Sequence, residues 1–228
     1  AMDPQQRVTL QLGWRALENA GVDAHQLVDR SVGVYLGMGQ NDYARRRLFS
    51  GDLAAIGPYD GTGNGLSFLA GRLSYILGLQ GPSMAVDTTC SSSLVALHLA
   101  TKALRGGDCE MALAGGVHLM LSPEAHVYLS RAKALSPSGR CRGFDADADG
   151  YVRGEGGALL VLQKLSDAQA SGRRIWAVIR GSAVNHDGRS SGLTVPNGPA
   201  QQRLIRTALK DAGLRPEQIG YVEAHGTG

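Results

Sequence analysis

Cys90 sits where its neighbours could make it a nucleophile. It lies in Val86-Asp87-Thr88-Thr89-Cys90-Ser91-Ser92-Ser93-Leu94-Val95-Ala96-Leu97, where a short apolar strand turns into a helix. At such a junction the unsatisfied backbone N–H groups and the helix dipole stabilise an anion. A thiol placed there is more readily the thiolate, the form that attacks a carbonyl or a disulfide. Its own N–H can also donate to an oxyanion formed during acyl transfer. The three serines that follow suit a first helical turn better than a helix interior. The same pattern fits a buried structural cysteine under a serine-rich cap, and the residues alone leave both readings open. Cys109 lies between Asp108 and Glu110, which disfavour a thiolate, and is expected to be structural; Cys141 also lacks the strand-to-helix context.

A second chemical feature is Tyr221-Val222-Glu223-Ala224-His225-Gly226-Thr227-Gly228. A histidine at a strand end followed by a glycine loop can present its ring to a cleft. Together with Cys90 it has the makings of Cys/His nucleophilic catalysis, although a lone histidine is more often a satisfied structural residue. His25, His98, His118, His126 and His186 show no metal-ligand spacing and are expected in surface or core roles.

The elements that must position these residues alternate between strand and helix. Asp3 to Gly21 alternates apolar residues as a strand would. Its punctuation indicates a helix instead: Asp3 can cap, Pro4 suits the first turn and Gly21 the stop. Strands are expected at Val32 to Gly37, Ser83 to Asp87, Met111 to Ala114, Gly157 to Leu162, Ile175 to Arg180 and Ile219 to Ala224. Helices are expected at Ser67 to Leu77, from Ser91 onwards, and from Pro199 to a stop at Gly213. In the last of these, Leu204, Ile205, Ala208, Leu209 and Ala212 share one face. Ser136 to Gly150 reads as loop, and Ser171-Gly172 as a turn where the subdomain could change. The alternation indicates an α/β architecture.

Composition narrows the class. The chain has 228 residues, 43% hydrophobic and 19% charged, which is globular rather than disordered. The formal net charge is only +3, with no basic tract that would suggest nucleic acid. The one dense run, Arg45-Arg46-Arg47, reads as a solvated helix face or as a weak docking patch for an acidic partner. No stretch approaches the roughly 18 apolar residues of a membrane span, and no signal peptide is evident. Three cysteines without CxxC spacing argue against a disulfide framework and fit a cytoplasmic setting. Glycine is in excess, 32 residues, about twice the usual share, without any G-X-Y period. These glycines are expected in specific tight loops: Gly61 to Gly65, Gly154 to Gly157 and Gly226 to Gly228.

Asp87-Thr88-Thr89-Cys90-Ser91-Ser92-Ser93 together with Glu223-Ala224-His225-Gly226-Thr227-Gly228 closely resembles the ketosynthase domain of modular type I polyketide synthases. The resemblance runs nearly end to end. It includes Met2 to Arg7, Gly61-Thr62-Gly63-Asn64, Gly78 to Pro82 and Phe144 to Gly156. Thr89 departs from it, since the family usually has alanine before the cysteine; the added bulk bears on fine specificity.

The resemblance implies a thiolase-like fold, layered α/β/α/β/α and here incomplete at both ends, which dimerises around the nucleophile. Residues 1–172 would be the N-terminal part of a beta-ketoacyl synthase lacking its first segment, and residues 173–228 the start of the C-terminal part. Cys90 would take an acyl chain from the 4'-phosphopantetheine arm of an acyl carrier protein, with no cofactor bound directly. The enolate of a decarboxylated malonyl-type extender would then attack that thioester. The resemblance assigns His225 to the extender thioester carbonyl, Thr227 to the pantetheine arm and Glu155 to structural support. A second catalytic histidine and a glycine-phenylalanine oxyanion loop belong to the family pattern beyond Gly228, so the 228 residues alone are expected to be inactive in condensation. Other readings are a fatty-acid ketosynthase, a thiolase acting on acyl-CoA, a non-catalytic dimer scaffold, or an unrelated cysteine hydrolase.

Overall fold

A computed structural model describes residues 1–227 of the chain. Its centre is β1 (Val32–Gly37), every residue of which is buried. A strand covered on both faces needs apolar or small residues at every position, and Val-Gly-Val-Tyr-Leu-Gly supplies them. β1 pairs in parallel with β2 (Ser83–Val86) and with β3 (Met111–His118). β4 (Gly156–Gln163) closes the sheet antiparallel to β3, giving the order β2-β1-β3-β4.

Alternation along the strands sorts the two faces. Val32, Val34, Leu36, Met111 and Leu113 pack on one side with Leu17 of α1 (Pro4–Asn19) and Leu69 and Leu73 of α3 (Ser67–Leu77). Tyr35, Ala112 and Ala114 meet Ala96, Ala100 and Ala103 of α4 (Ser92–Gly106) on the other. The first face is bulky and the second is made of small residues, so α4 lies close against the sheet. The described residues thus hold one sheet between two helical layers. Short α2 (Asp60–Asn64), α5 (Glu124–Arg131), α6 (Leu165–Ala170) and α7 (Gly198–Ala212) complete the set of helices among them. None of these helices is long and apolar enough to cross a membrane.

Punctuation overrides alternation in α1, as expected. The Asp3 carboxylate accepts the Gln5 N–H at 2.7 Å, and Pro4 opens the helix. Asp3 is fully buried, and that burial raises its carboxyl above the ordinary value against the opposing Gln5 bond. α7 begins at Gly198 under an Asn197 cap and stops before Gly213, whose φ is +64°. Its apolar face is incompletely covered, and Ile205 is exposed.

Two expectations need correction. Ile175 to Arg180 and Ile219 to Ala224 form no strand. A strand is defined by its ladder, and no described segment pairs with either run. Trp176, Val178, Tyr221 and Val222 are accordingly exposed. Side chains hold the first of these runs to the end of α1: Trp176 Nε1 donates to Asn19 Oδ1 at 3.0 Å, and Arg173 Nη1 to the Gly21 carbonyl at 3.0 Å. The arginine run lies on an exposed helical turn, as the solvated-face reading has it, and each residue also meets a neighbour. Arg45 pairs with Glu124 at 3.2 Å, Arg46 lies over the Tyr43 ring, and Arg47 reaches the buried carboxylate of Asp60 at 3.1 Å.

Candidate active site

β2 ends at Val86 and the chain reverses into α4 within five residues. Asp87 Oδ1 takes the Thr89 N–H at 3.0 Å, starting the turn. Thr89 then adopts φ +59°, the left-handed region, which costs a β-branched residue on the order of 1–2 kcal/mol. A single 3-10 turn, Thr89–Ser91, carries Cys90 into the helix. The serines tie this turn down. Ser92 Oγ accepts the Thr88 N–H at 2.8 Å and donates to the Thr89 carbonyl at 2.6 Å, while Ser91 Oγ donates to the Thr88 carbonyl at 2.9 Å.

Two glycines of the sheet decide how near this turn can come. A Cβ on Gly37 would lie 2.6 Å from the Ser93 nitrogen, and one on Gly116 would lie 3.0 Å from Ser93 Cβ. Glycine at the end of β1 is required for the start of α4 to sit against the strand ends, and Gly116 near the end of β3 leaves it further room. Cys90 is thereby held exposed at a strand-to-helix junction, the place where ligands meet open α/β sheets.

Cys90 opens onto a cavity of about 850 Å³. Its walls come from the residues after β1, the start of α4, the end of β3, α5 and the segment Tyr151 to Gly157. Gly154, Gly156 and Gly157 line it, joined by Gly37, Gly39, Gly115 and Gly116. Gly61 to Gly65 do not line it. They belong to α2 and its end, where the Gly63 carbonyl receives the Asp3 N–H at 2.8 Å. Gly228 lies outside the described residues.

The other thiols differ. Cys109 is only 3% exposed, and burial is the main cause that raises its thiol above the ordinary value, with Asp108 and Glu110 adding less. Cys141 is exposed, with Sγ 3.7 Å from the Gly226 carbonyl. That contact lays residues 225–227 on the loop around Cys141 to Phe144, where a Cβ on Gly143 would come within 2.9 Å of the same carbonyl oxygen. His225 and Thr227 are exposed there, and neither lines the Cys90 cavity.

The cavity contains groups that sequence reasoning passed over. Tyr151 lies near Cys90, and burial, then the neighbouring Cys90 and Tyr128, raise its hydroxyl above the usual value. His118, at the end of β3, lines the wall; burial first, and then Arg153, lower its imidazole below the ordinary histidine value. Arg153 donates to His118, His126 and Gln40. Glu155 Oε1 accepts the Met120 N–H at 2.6 Å. Tyr151, Arg153 and Glu155 all lie in the Phe144 to Gly156 segment, which was the available signal. His118 left none, because a lone histidine at a strand end has no distinguishing neighbours in sequence.

Comparison with known proteins gives two family matches. Residues 1–168 match the beta-ketoacyl synthase N-terminal domain, and residues 176–228 match the beta-ketoacyl synthase C-terminal domain. The chain is 55% identical over 231 residues to a phenolphthiocerol/phthiocerol polyketide synthase of Mycobacterium tuberculosis, covering 100% of this chain and 10% of that protein. It is 54% identical to polyketide synthase GfsA of Streptomyces halstedii, covering 100% of this chain and 3% of that protein. Among solved structures it resembles the ketosynthase from module 6 of the bacillaene synthase of Bacillus subtilis, with TM-score 0.91 and 43% identity over 99% of this chain and 38% of that one. The oxazolomycin ketosynthase domain OzmH KS7 of Streptomyces albus gives TM-score 0.93 and 44% identity, over 100% and 39%. The fold is thus the thiolase-like fold of ketosynthases, and the chain spans a small part of the polyketide synthases it matches.

Proposed function

The chain belongs to the beta-ketoacyl synthase family, and from that premise we propose that it carries the acyl-accepting half of a polyketide ketosynthase site. In the first half-reaction the Cys90 thiolate attacks the carbonyl carbon of an acyl thioester on the pantetheine arm of an acyl carrier protein. The new C–S bond forms as the pantetheine C–S bond breaks, and pantetheine leaves as the thiolate, which takes up the proton that Cys90 released on ionising. In the second, a malonyl-type extender loses CO2. Its enolate carbon attacks the acyl carbon on Cys90, and the Cys90 thiolate departs, leaving a β-ketoacyl chain one extender unit longer.

The observation that carries this reading is the exposed Cys90 at the head of α4, set by Gly37 and Gly116 against a cavity large enough for a thioester arm. The turn that holds it leaves first-turn N–H groups without intrahelical acceptors, suited to an acyl oxyanion. His225, held against the extender carbonyl, would stabilise the enolate, and Thr227 would bind the pantetheine arm. Neither is among the residues that line the cavity, and we expect acylation of Cys90 without condensation by these 228 residues. The division at about residue 172 into N- and C-terminal parts is supported by the two family matches, which stop at 168 and resume at 176. The acyltransferase class, the carrier-protein partner, dimerisation, the neighbouring domains of a synthase chain and a cytoplasmic setting belong to the same proposal.

The test is to offer the chain an acyl thioester, on a carrier protein or on N-acetylcysteamine, and to locate the acyl group by peptide mass spectrometry. Acyl transfer to Cys90, lost in Cys90→Ala, is expected. Acylation confined to Cys109 or Cys141 overturns the assignment. Release of CO2 from a malonyl thioester by the 228 residues would contradict the expected lack of condensation.

A further inference from the structure

Tyr128 and Leu129 of α5 form one wall of the Cys90 cavity. Among the eight residues of α5 only Ala125 is buried, so apolar packing does little to hold the helix in place. Polar contacts do it instead. The connection from β3 hangs from three acceptors supplied by separate parts of the chain. Leu119 N–H donates to Gln5 Oε1 at 3.0 Å, Met120 N–H to Glu155 Oε1 at 2.6 Å and Leu121 N–H to Asp42 Oδ2 at 3.3 Å.

The helix itself is reached by two arginines. Arg45 Nη1 meets Glu124 Oε1 at 3.2 Å, an exposed pair of small worth. Arg153 makes the wider connection. Its Nη1 donates to His126 Nδ1 at 2.9 Å, and its Nη2 to Gln40 Oε1 at 2.9 Å and His118 Nε2 at 3.3 Å. A guanidinium has donors only, so both ring nitrogens must be acceptors, and both imidazoles are neutral in this arrangement.

We propose that Arg153 is a positioning residue of the Cys90 site: it ties His126 of α5 to His118 of β3 and to Gln40, and so sets the Tyr128–Leu129 wall that an acyl chain on Cys90 meets. The His118 share of the tie lasts only while its imidazole is neutral. Protonation removes the acceptor lone pair and sets a second cation beside Arg153. Asp42 and Glu155 face His118 together with Arg153. Neutral His118 is favoured in the fold, because burial, and then Arg153, lower its imidazole. Its share of the tie is complete above its ordinary value of 6.5 and is lost as pH falls below that, where the unfolded chain takes up the proton. The effect on acylation rests on reading Cys90 as the acyl acceptor; the tie itself does not.

Amide hydrogen exchange of the full chain, read by mass spectrometry and corrected for intrinsic rates, tests the tie. Arg153→Leu should raise exchange of 124–131 about tenfold, the scale of one charge-assisted hydrogen bond, with β1 and β3 unchanged. His126→Leu, which removes the acceptor on α5, should loosen the helix likewise, whereas His126→Gln, whose amide oxygen accepts, should stay protected. The same Arg153→Leu chain should show a changed ratio of octanoyl to acetyl transfer from N-acetylcysteamine thioesters to Cys90. Unchanged exchange of 124–131 in Arg153→Leu overturns the proposal, as does loosening of His126→Gln equal to that of His126→Leu. Should Arg153→Leu also expose the sheet, the comparison between His126→Leu and His126→Gln decides the matter. Variants whose helix responds as described while Cys90 of the wild-type chain takes no acyl group would refute the acyl-acceptor reading and uphold the tie.

Discussion

The segments bearing Cys90 and His225 are held in opposite ways. The turn before α4 is wedged against the strand ends by Gly37 and Gly116 and laced by Asp87, Ser91 and Ser92. The segment ending in His225 has no ladder among the described residues, exposes Tyr221 and Val222, and touches the Cys141 loop through one sulfur-to-carbonyl contact. A catalytic position is only as precise as the packing behind it. Cys90 has its support within residues 1–168, while His225 lacks comparable support among the described residues.

The largest effect should come from filling the gap behind Cys90. Gly37→Val drives a side chain into the backbone at Ser92 and Ser93, and should cost about 3 kcal/mol in urea unfolding. Gly226→Ala, in a left-handed residue of the loosely held segment, should change the global value by under about 0.5 kcal/mol. Similar losses for the two would erase the contrast.

A smaller effect, of opposite sign, is expected from Thr89. Relief of its left-handed backbone in Thr89→Gly should raise stability by about 0.5 kcal/mol, the strain removed less the added freedom of the unfolded glycine. A loss instead would show that the threonine side chain packs against something that its backbone geometry does not reveal.

Smallest should be an acid step confined to the C-terminal segment. Asp211 is held at about 2, first by the Ser182 N–H and then by Arg105, which docks α7 on α4. A depressed carboxyl stabilises above its ordinary value of 3.8 and loses that contribution as pH falls towards about 2. Hydrogen exchange of 198–212 should therefore rise in that window before that of β1 and β3. In Asp211→Asn the helix should already be looser at neutral pH and show no such step. Simultaneous loosening of sheet and helix would mean that the two regions are one cooperative unit.

The same division separates what could be read in advance from what could not. β1 and the first half of β3 were legible because strands covered on both faces are spelled by continuous small and apolar residues, and β4 carries the same spelling although it is largely exposed. α1 was legible because Asp3 and Pro4 punctuate a pattern that otherwise alternates. Ile175 to Arg180 and Ile219 to Ala224 carry equally apolar spelling, yet a strand also needs a neighbour, which spelling does not supply. The arginine run was legible as a solvated face, but its partners Glu124 and Asp60 were not, since they are distant in sequence or on another turn. At the site, Cys90 and its turn were legible from local residue types. Tyr151, Arg153 and His118 converge on the cavity from different segments, so no spacing announces them.

The sequence by itself determined the α/β class, the elements of the sheet unit, and a cysteine placed at a strand-to-helix turn. Each is settled by side-chain chemistry within a few residues of backbone. Only the tertiary structure decided that Cys90 is exposed and Cys109 buried, that Gly37 and Gly116 make room for the turn, and that Arg153 joins two neutral histidines beside the cavity. Those outcomes depend on which distant segments come into contact, a matter of packing between strand ends and helix starts that local pattern does not encode.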